Sequence, residues 1–152
     1  FTIGTCKMDL RVGGTFLYSM VAVDGSEMWG NFPLEREKLF KLIASTKASN
    51  VVLLSGDRHL AEVMKLPARS FGIQYPIYEI TSSSLNTPSG NFTKAGTRFS
   101  NEINSYRMGL TYFETNFGMV EIDWTQPPPL VRGQVCDEAG AVVLQQKIPL
   151  TK

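Results

Sequence analysis

The four residues Val51-Val52-Leu53-Leu54 constrain this chain most, because they are continuously apolar, partly β-branched, and run directly into Ser55-Gly56-Asp57-Arg58-His59. A strand with one wet face alternates apolar and polar side chains. An unbroken apolar run of this length, bounded by polar turn residues, therefore predicts a central strand covered on both faces. Upstream, Pro33-Leu34-Glu35-Arg36 predicts a helix start, since proline suits the first turn and acidic side chains suit the positive end of the helix dipole. Leu34, Leu39, Phe40, Leu42 and Ile43 fall at roughly helical spacing, with Glu35, Arg36, Glu37, Lys38 and Lys41 assigned to the opposite side. A helix leading into a strand of this kind makes an α/β layer, the expected fold class.

Length and composition set outer bounds. With 152 residues, 43% of them apolar and 19% charged, the chain suits one globular domain, 1–152, and lies far from disordered compositions. A formal net charge of +1 gives no broad basic field, so nucleic acid is not expected as a main partner. No apolar run reaches the length of a transmembrane helix, roughly 18 residues or more. The first residues, Phe1-Thr2-Ile3-Gly4-Thr5-Cys6, lack the basic start and apolar stretch of a signal peptide, so none is expected in this chain. Cys6 and Cys136 can pair or stay free, and Asn91-Phe92-Thr93 is an acceptor sequon that matters only in a secretory pathway.

Elsewhere the pattern favours strands. Thr15 to Val23 reads as a strand ending at the turn signal Asp24-Gly25-Ser26. Pro76 to Thr81, Gly118 to Trp124, Leu130 to Cys136 and Val142 to Ile148 read as short strands of an antiparallel C-terminal third, the last two joined by a hairpin at Asp137-Glu138-Ala139-Gly140. Pro127-Pro128-Pro129 reads as an extended, exposed connection. Ser82 to Tyr112 is a long polar stretch, and loops of that length in compact domains are commonly functional.

The chemistry concentrates at residues 55–59. They lie directly after a buried strand, and the carboxyl ends of strands are where α/β sheets place their ligands. Gly56 permits a sharp turn and close approach of a ligand. Asp57 and His59 are two residues apart, so an extended segment projects both to one side, a carboxylate and an imidazole suited to a transition metal or a mixed pair of cations. Plainer readings stand beside this one. Asp57 also suits the cap of a helix beginning near Leu60. His59, the only histidine in the chain, equally suits a structural role. Arg36 and Arg58 can hold phosphate by paired hydrogen bonds or simply be solvated. Trp29 and Phe32 suit either a pocket wall or the core, and Ser82-Ser83-Ser84 either orients the site or forms a polar turn.

Four blocks resemble successive landmarks of the PhoD-like alkaline phosphatases. They are Trp29 to Arg36, Ser55 to Glu62, Tyr78 to Asn86, and Asn116-Phe117-Gly118 running into Ile122-Asp123-Trp124, and they occur in the family's order. The resemblance covers about Tyr18 to Leu150, as the C-terminal half of such a protein. It implies a metallophosphoesterase-like sandwich, two sheets between helical layers, incomplete at its N-terminal side. It further implies a metal-dependent phosphoric ester hydrolase, acting on mono- or diesters at a centre of two metal ions drawn from iron, calcium, manganese or zinc. His59 is then implied as a metal ligand, Asp57 as a ligand or its support, and Arg58 as a substrate contact. Members are often secreted or periplasmic. Other ligands come, in the family, from an upstream aspartate, a Gly-Asp segment and an Asn-His or Asp-His segment, which this sequence does not contain. Gly4-Thr5-Cys6 resembles the family's Gly-Ser-Cys, but the residues from Lys7 onward depart from the family's pattern. The alternative expectation is a truncated, non-catalytic domain that works by binding or self-association through an uncovered sheet edge.

Overall fold

The computed structural model describes residues 2–3, 6–7, 10–14, 29–89 and 104–150. The expected strand at Thr15 to Val23, the turn after it, the sequon at Asn91 and the middle of the Ser82 to Tyr112 stretch lie outside these residues. A small antiparallel pair, β1 (Thr2–Ile3) with β2 (Cys6–Lys7), precedes the main body. Five strands then share one sheet: β3 (Leu10–Gly14), β4 (Val52–Gly56), β5 (Ala61–Leu66), β6 (Ile77–Ser82) and β7 (Arg107–Tyr112), in the order β3-β4-β6-β5-β7. The strands β8 (Asn116–Asp123), β9 (Leu130–Asp137) and β10 (Val142–Ile148) form a separate antiparallel sheet.

The continuous apolar run at 51–54 is explained by what lies on either side of β4, which pairs parallel with both β3 and β6. Alternate residues of a strand face opposite ways. Val51 and Leu53 enter a cluster with Phe40, Ile43, Met64, Leu66, Ile73 and Ile77 on the helix side. Val52, with Leu54 packed beside it, enters a second cluster with Ala61, Tyr78, Ile80, Val131, Val135 and Ile148, shared with the three-stranded sheet. The two sheets interlock at Gly133, where an added Cβ would lie 1.9 Å from Ile80 Cδ1. The described residues therefore make a mixed α/β arrangement of one helix and two facing sheets.

Helix α1 spans Pro33–Ser45 as the sequence predicts, with proline in its first turn and Glu35 beside it. Its inward face differs from the expected one. Arg36, Phe40 and Ile43 are buried, whereas Leu34 and Leu42 are 71% and 57% exposed. Positions 36, 40 and 43 form one stripe of a 3.6-residue helix, and the aliphatic stem of an arginine can lie along apolar surface. Trp29 packs against this core from a short 3-10 turn at Trp29–Asn31, while Phe32 is exposed.

Two further expectations are corrected. No helix begins near Leu60: Ala61–Leu66 is strand β5, antiparallel to both β6 and β7. Leu60-Ala61-Glu62-Val63-Met64-Lys65-Leu66 is rich in good helix formers, but pairing on both sides and burial between two cores override that weak local preference. The Pro76 to Thr81 segment belongs not to the antiparallel third but to the five-stranded sheet, as β6, parallel to β4. The hairpin at residues 137–140 is as expected. Asp137 N donates to Ala141 O at 2.9 Å, Gly140 N donates to Asp137 O at 3.0 Å, and Gly140 takes a φ of +83° that a side chain would strain. Cys136 is a buried free thiol on β9. No described helix is long and apolar enough to cross a membrane.

Candidate functional site

Because β6 lies between β4 and β5, residues 57–60 must carry the chain past the end of β6 to reach the next strand but one. They do so with left-handed backbone at Asp57 (φ 71°) and His59 (φ 56°). Aspartate and histidine tolerate that region better than most side chains. The segment is thus a tight turn, not extended, and the alternation argument for a shared direction of Asp57 and His59 does not apply. Gly56 is also not the residue that turns the chain. Its value is proximity: an added Cβ would sit 3.4 Å from Ser83 Cβ at the end of β6. Asp57 and His59 are exposed, and Arg58 between them is buried.

Arg58 anchors the turn from below. Its Nη1 donates to Glu62 Oε1 at 2.8 Å, and Arg107 Nε of β7 donates to Glu62 Oε2 at 2.6 Å. Glu62 is 0% exposed, so both charge-assisted bonds work at low dielectric, where they compensate the cost of burying the carboxylate. Next to this cluster, Ser55 and Thr81 share a hydroxyl hydrogen bond of 2.7 Å between β4 and β6. From the other side, Ser83 Oγ donates to Leu60 O at 3.1 Å, the Ser89 amide donates to His59 O at 2.7 Å, and His59 Nδ1 lies 2.6 Å from Thr87 O. The rim continues through Asn116, buried at the start of β8, which accepts from Ser82 Oγ at 2.8 Å and donates from its backbone N to Ser84 O at 3.1 Å. Ser82-Ser83-Ser84 is therefore tied to the turn and to β8.

One titratable group near this end is shifted. Tyr112, paired with Ala61 at the start of β5, has its phenol pKa raised above 10.0, first by desolvation and then by Asp137, Glu114 and Glu138. Far from the turn, Asp123 is held below the ordinary aspartate value of 3.8, chiefly by the Thr125 hydroxyl and amide.

As for metal binding, no three His, Cys, Asp or Glu side chains come together as a cation site among the described residues. A two-metal centre draws donors from several loops. A carboxylate and an imidazole are donor types that such a centre uses, but among the described residues Asp57 and His59 do not complete one. Sequence reasoning missed several participants, Arg107 among them. Glu62 was hidden by the helix-like composition around it, although its spacing from Arg58 offered a charge-pairing hint. Thr87 and Ser89 act through backbone atoms, which leave no signature in side-chain identity.

The described residues make a mixed α/β protein, a class in which ligands commonly gather at the carboxyl ends of parallel strands, and the 57–60 turn lies at such an end. More specifically, the PhoD-like phosphatase family matches residues 15–128, and the chain belongs to that family. The match contains α1, the 55–59 turn and β8, and begins after Gly4-Thr5-Cys6. Among solved structures, that of PhoD is 17% identical, with a TM-score of 0.46; the alignment covers 94% of this chain and 32% of that one, so this chain spans about a third of its length. No curated protein matches the chain.

Proposed function

We propose that this chain is part of a metal-dependent phosphoric ester hydrolase of the alkaline phosphatase D-like kind, acting on a phosphomonoester or phosphodiester, with Asp57 and His59 contributing donors to its metal centre. The observation that carries this reading is the coincidence of the family match over residues 15–128 with a turn that exposes Asp57 and His59 at the carboxyl end of a central parallel strand. In this reading α1 and the two facing sheets are part of a metallophosphoesterase-like sandwich. When bound, paired cations would acidify a water and neutralise charge on the phosphoryl oxygens. The chain's own residues have simpler tasks. Asp57 and His59 hold cation, and Arg58, whose Nη1 holds the turn through Glu62, is the candidate phosphate contact. Imidazole suits iron or zinc and carboxylate suits calcium or manganese as well, so the pair is compatible with a mixed centre drawn from iron, calcium, manganese and zinc.

The test is hydrolysis of a chromogenic phosphate ester by the purified chain with added manganese, calcium or ferric iron. Turnover that disappears in His59→Ala supports the proposal. No turnover and no stoichiometric metal, together with sedimentation that depends on protein concentration, would replace it with the non-catalytic, self-associating reading.

A further inference from the structure

We infer that residues 87–89 are the positioning element of His59, fixing its ring as the Nδ1-protonated tautomer so that Nε2 is the nitrogen offered to a divalent cation. This rests on the reading of Asp57 and His59 as one corner of a metal centre, and it adds which atom binds and what holds it.

The chemistry of the contact decides the tautomer. A backbone carbonyl can only accept, so the 2.6 Å contact between His59 Nδ1 and Thr87 O requires the proton on Nδ1. A neutral imidazole carries one N–H, which leaves the lone pair on Nε2. Histidines that bind metal are as a rule oriented in this way, by a bond from the other ring nitrogen to a carbonyl or carboxylate. Burial does not force the arrangement here. A buried imidazole must find a protein partner, whereas His59 is exposed and has water to hand.

What maintains the bond against water is the backbone on both sides. The Ser89 amide donates to His59 O at 2.7 Å, so the 87–89 segment grips the residue at its ring and at its carbonyl together. Pro88, between the two contacts, is buried and has a fixed φ; Ser89 is buried as well. The grip also explains why His59 can stay at a φ of 56°, a conformation that persists where the surroundings over-determine it. Arg58, buried against Glu62, prevents the turn from rolling away from the segment.

The chain has a single histidine, so the imidazole nitrogen signals of the isotope-labelled full chain belong to His59 alone. Long-range proton–nitrogen spectra would be recorded at alkaline pH, where the ring signals no longer change with pH. The Nδ1-protonated form is expected in the wild type and in Ser89→Ala, which keeps the amide. Ser89→Pro removes that amide and is expected to shift the population toward the Nε2-protonated form that free histidine prefers. An Nε2-protonated ring in the wild type overturns the inference, and this outcome does not depend on any variant folding. A folded Ser89→Pro chain with an unchanged tautomer also overturns it. Zinc alone, titrated into the wild type, is expected to move the Nε2 signal while Nδ1 stays protonated. If zinc displaces the Nδ1 proton, the positioning inference fails and the metal reading survives; if zinc moves neither nitrogen, the metal reading fails while the tautomer assignment stands.

Discussion

The five-stranded sheet is covered on both faces and places sequence-distant strands side by side, whereas the three-stranded sheet keeps to chain order and is covered on one. Consequently the first buries charge and the second does not. Glu62 and Glu79 are both 0% exposed in the five-stranded sheet, and Glu62 must hold two arginines to be there. In the three-stranded sheet the Glu121–Arg132 pair, 2.9 Å apart, lies on the outer side with Phe117 and Met119, which are 39% and 44% exposed. The contrast also explains where the candidate site lies. Successive antiparallel strands are joined by local turns that need nothing from elsewhere, as at Asp137–Gly140, while the order β3-β4-β6-β5-β7 gathers connections from several parts of the chain at one end.

The difference between the sheets should be largest at the buried charge. Glu62→Ala leaves Arg58 and Arg107 without their shared carboxylate and should cost about 3–5 kcal/mol in urea unfolding. A cost below about 1 kcal/mol, the range of surface pairs, would mean that the cluster is wet and the two sheets are not different in this respect. Leu53→Ala, in the helix-side core, should cost about 2–5 kcal/mol by the same measurement. Gly133→Ala tests the joint between the sheets. Its methyl must displace Ile80 Cδ1, and a loss of about 1–3 kcal/mol is expected, whereas Ile80→Val in the same background should recover part of it. On the outer face, Met119→Thr should stay within about 0.5 kcal/mol of wild type. The smallest effect concerns pH. Asp123 has a folded pKa below 3.8, so its contribution is complete above the unfolded value and is lost as pH falls through the folded one. The stability difference between wild type and Asp123→Asn should therefore be flat above pH of about 5 and shrink below about 4, read from unfolding curves at a series of pH values.

The parts of this molecule that could be read in advance are those where one local signal decides. Val51 to Leu53 is buried, with Leu54 half-buried beside it, because nothing in the run is polar; Pro33 begins a helix, and Gly140 closes a hairpin. The parts that could not are decided by neighbours distant in sequence. Residues 60–66 look helical and become strand because β6 and β7 flank them. Leu34 and Leu42 look inward-facing, yet the stripe that meets the sheet passes through Arg36. At the site, the order of residues 55–59 points to the family and to His59, but the turn's left-handed backbone and its grip by residues 87–89 arise from tertiary contacts.

The position of β6 between β4 and β5 also has a consequence for the order of events during synthesis. When residue 66 has left the ribosome, β4 and β5 exist as sequence, but the strand that both must pair with is still to come, at Ile77–Ser82. Until then the 57–60 connection has no sheet end to wrap around, and its partners at Ser83, Thr87 and Ser89 arrive later still. The candidate site therefore waits on pairing between strands distant in sequence, whereas the β8–β10 meander, although synthesised later, can zip from its own turns. In hydrogen exchange during refolding, amides of β9 should gain protection before the Ser89 amide, which becomes protected only once the turn has closed.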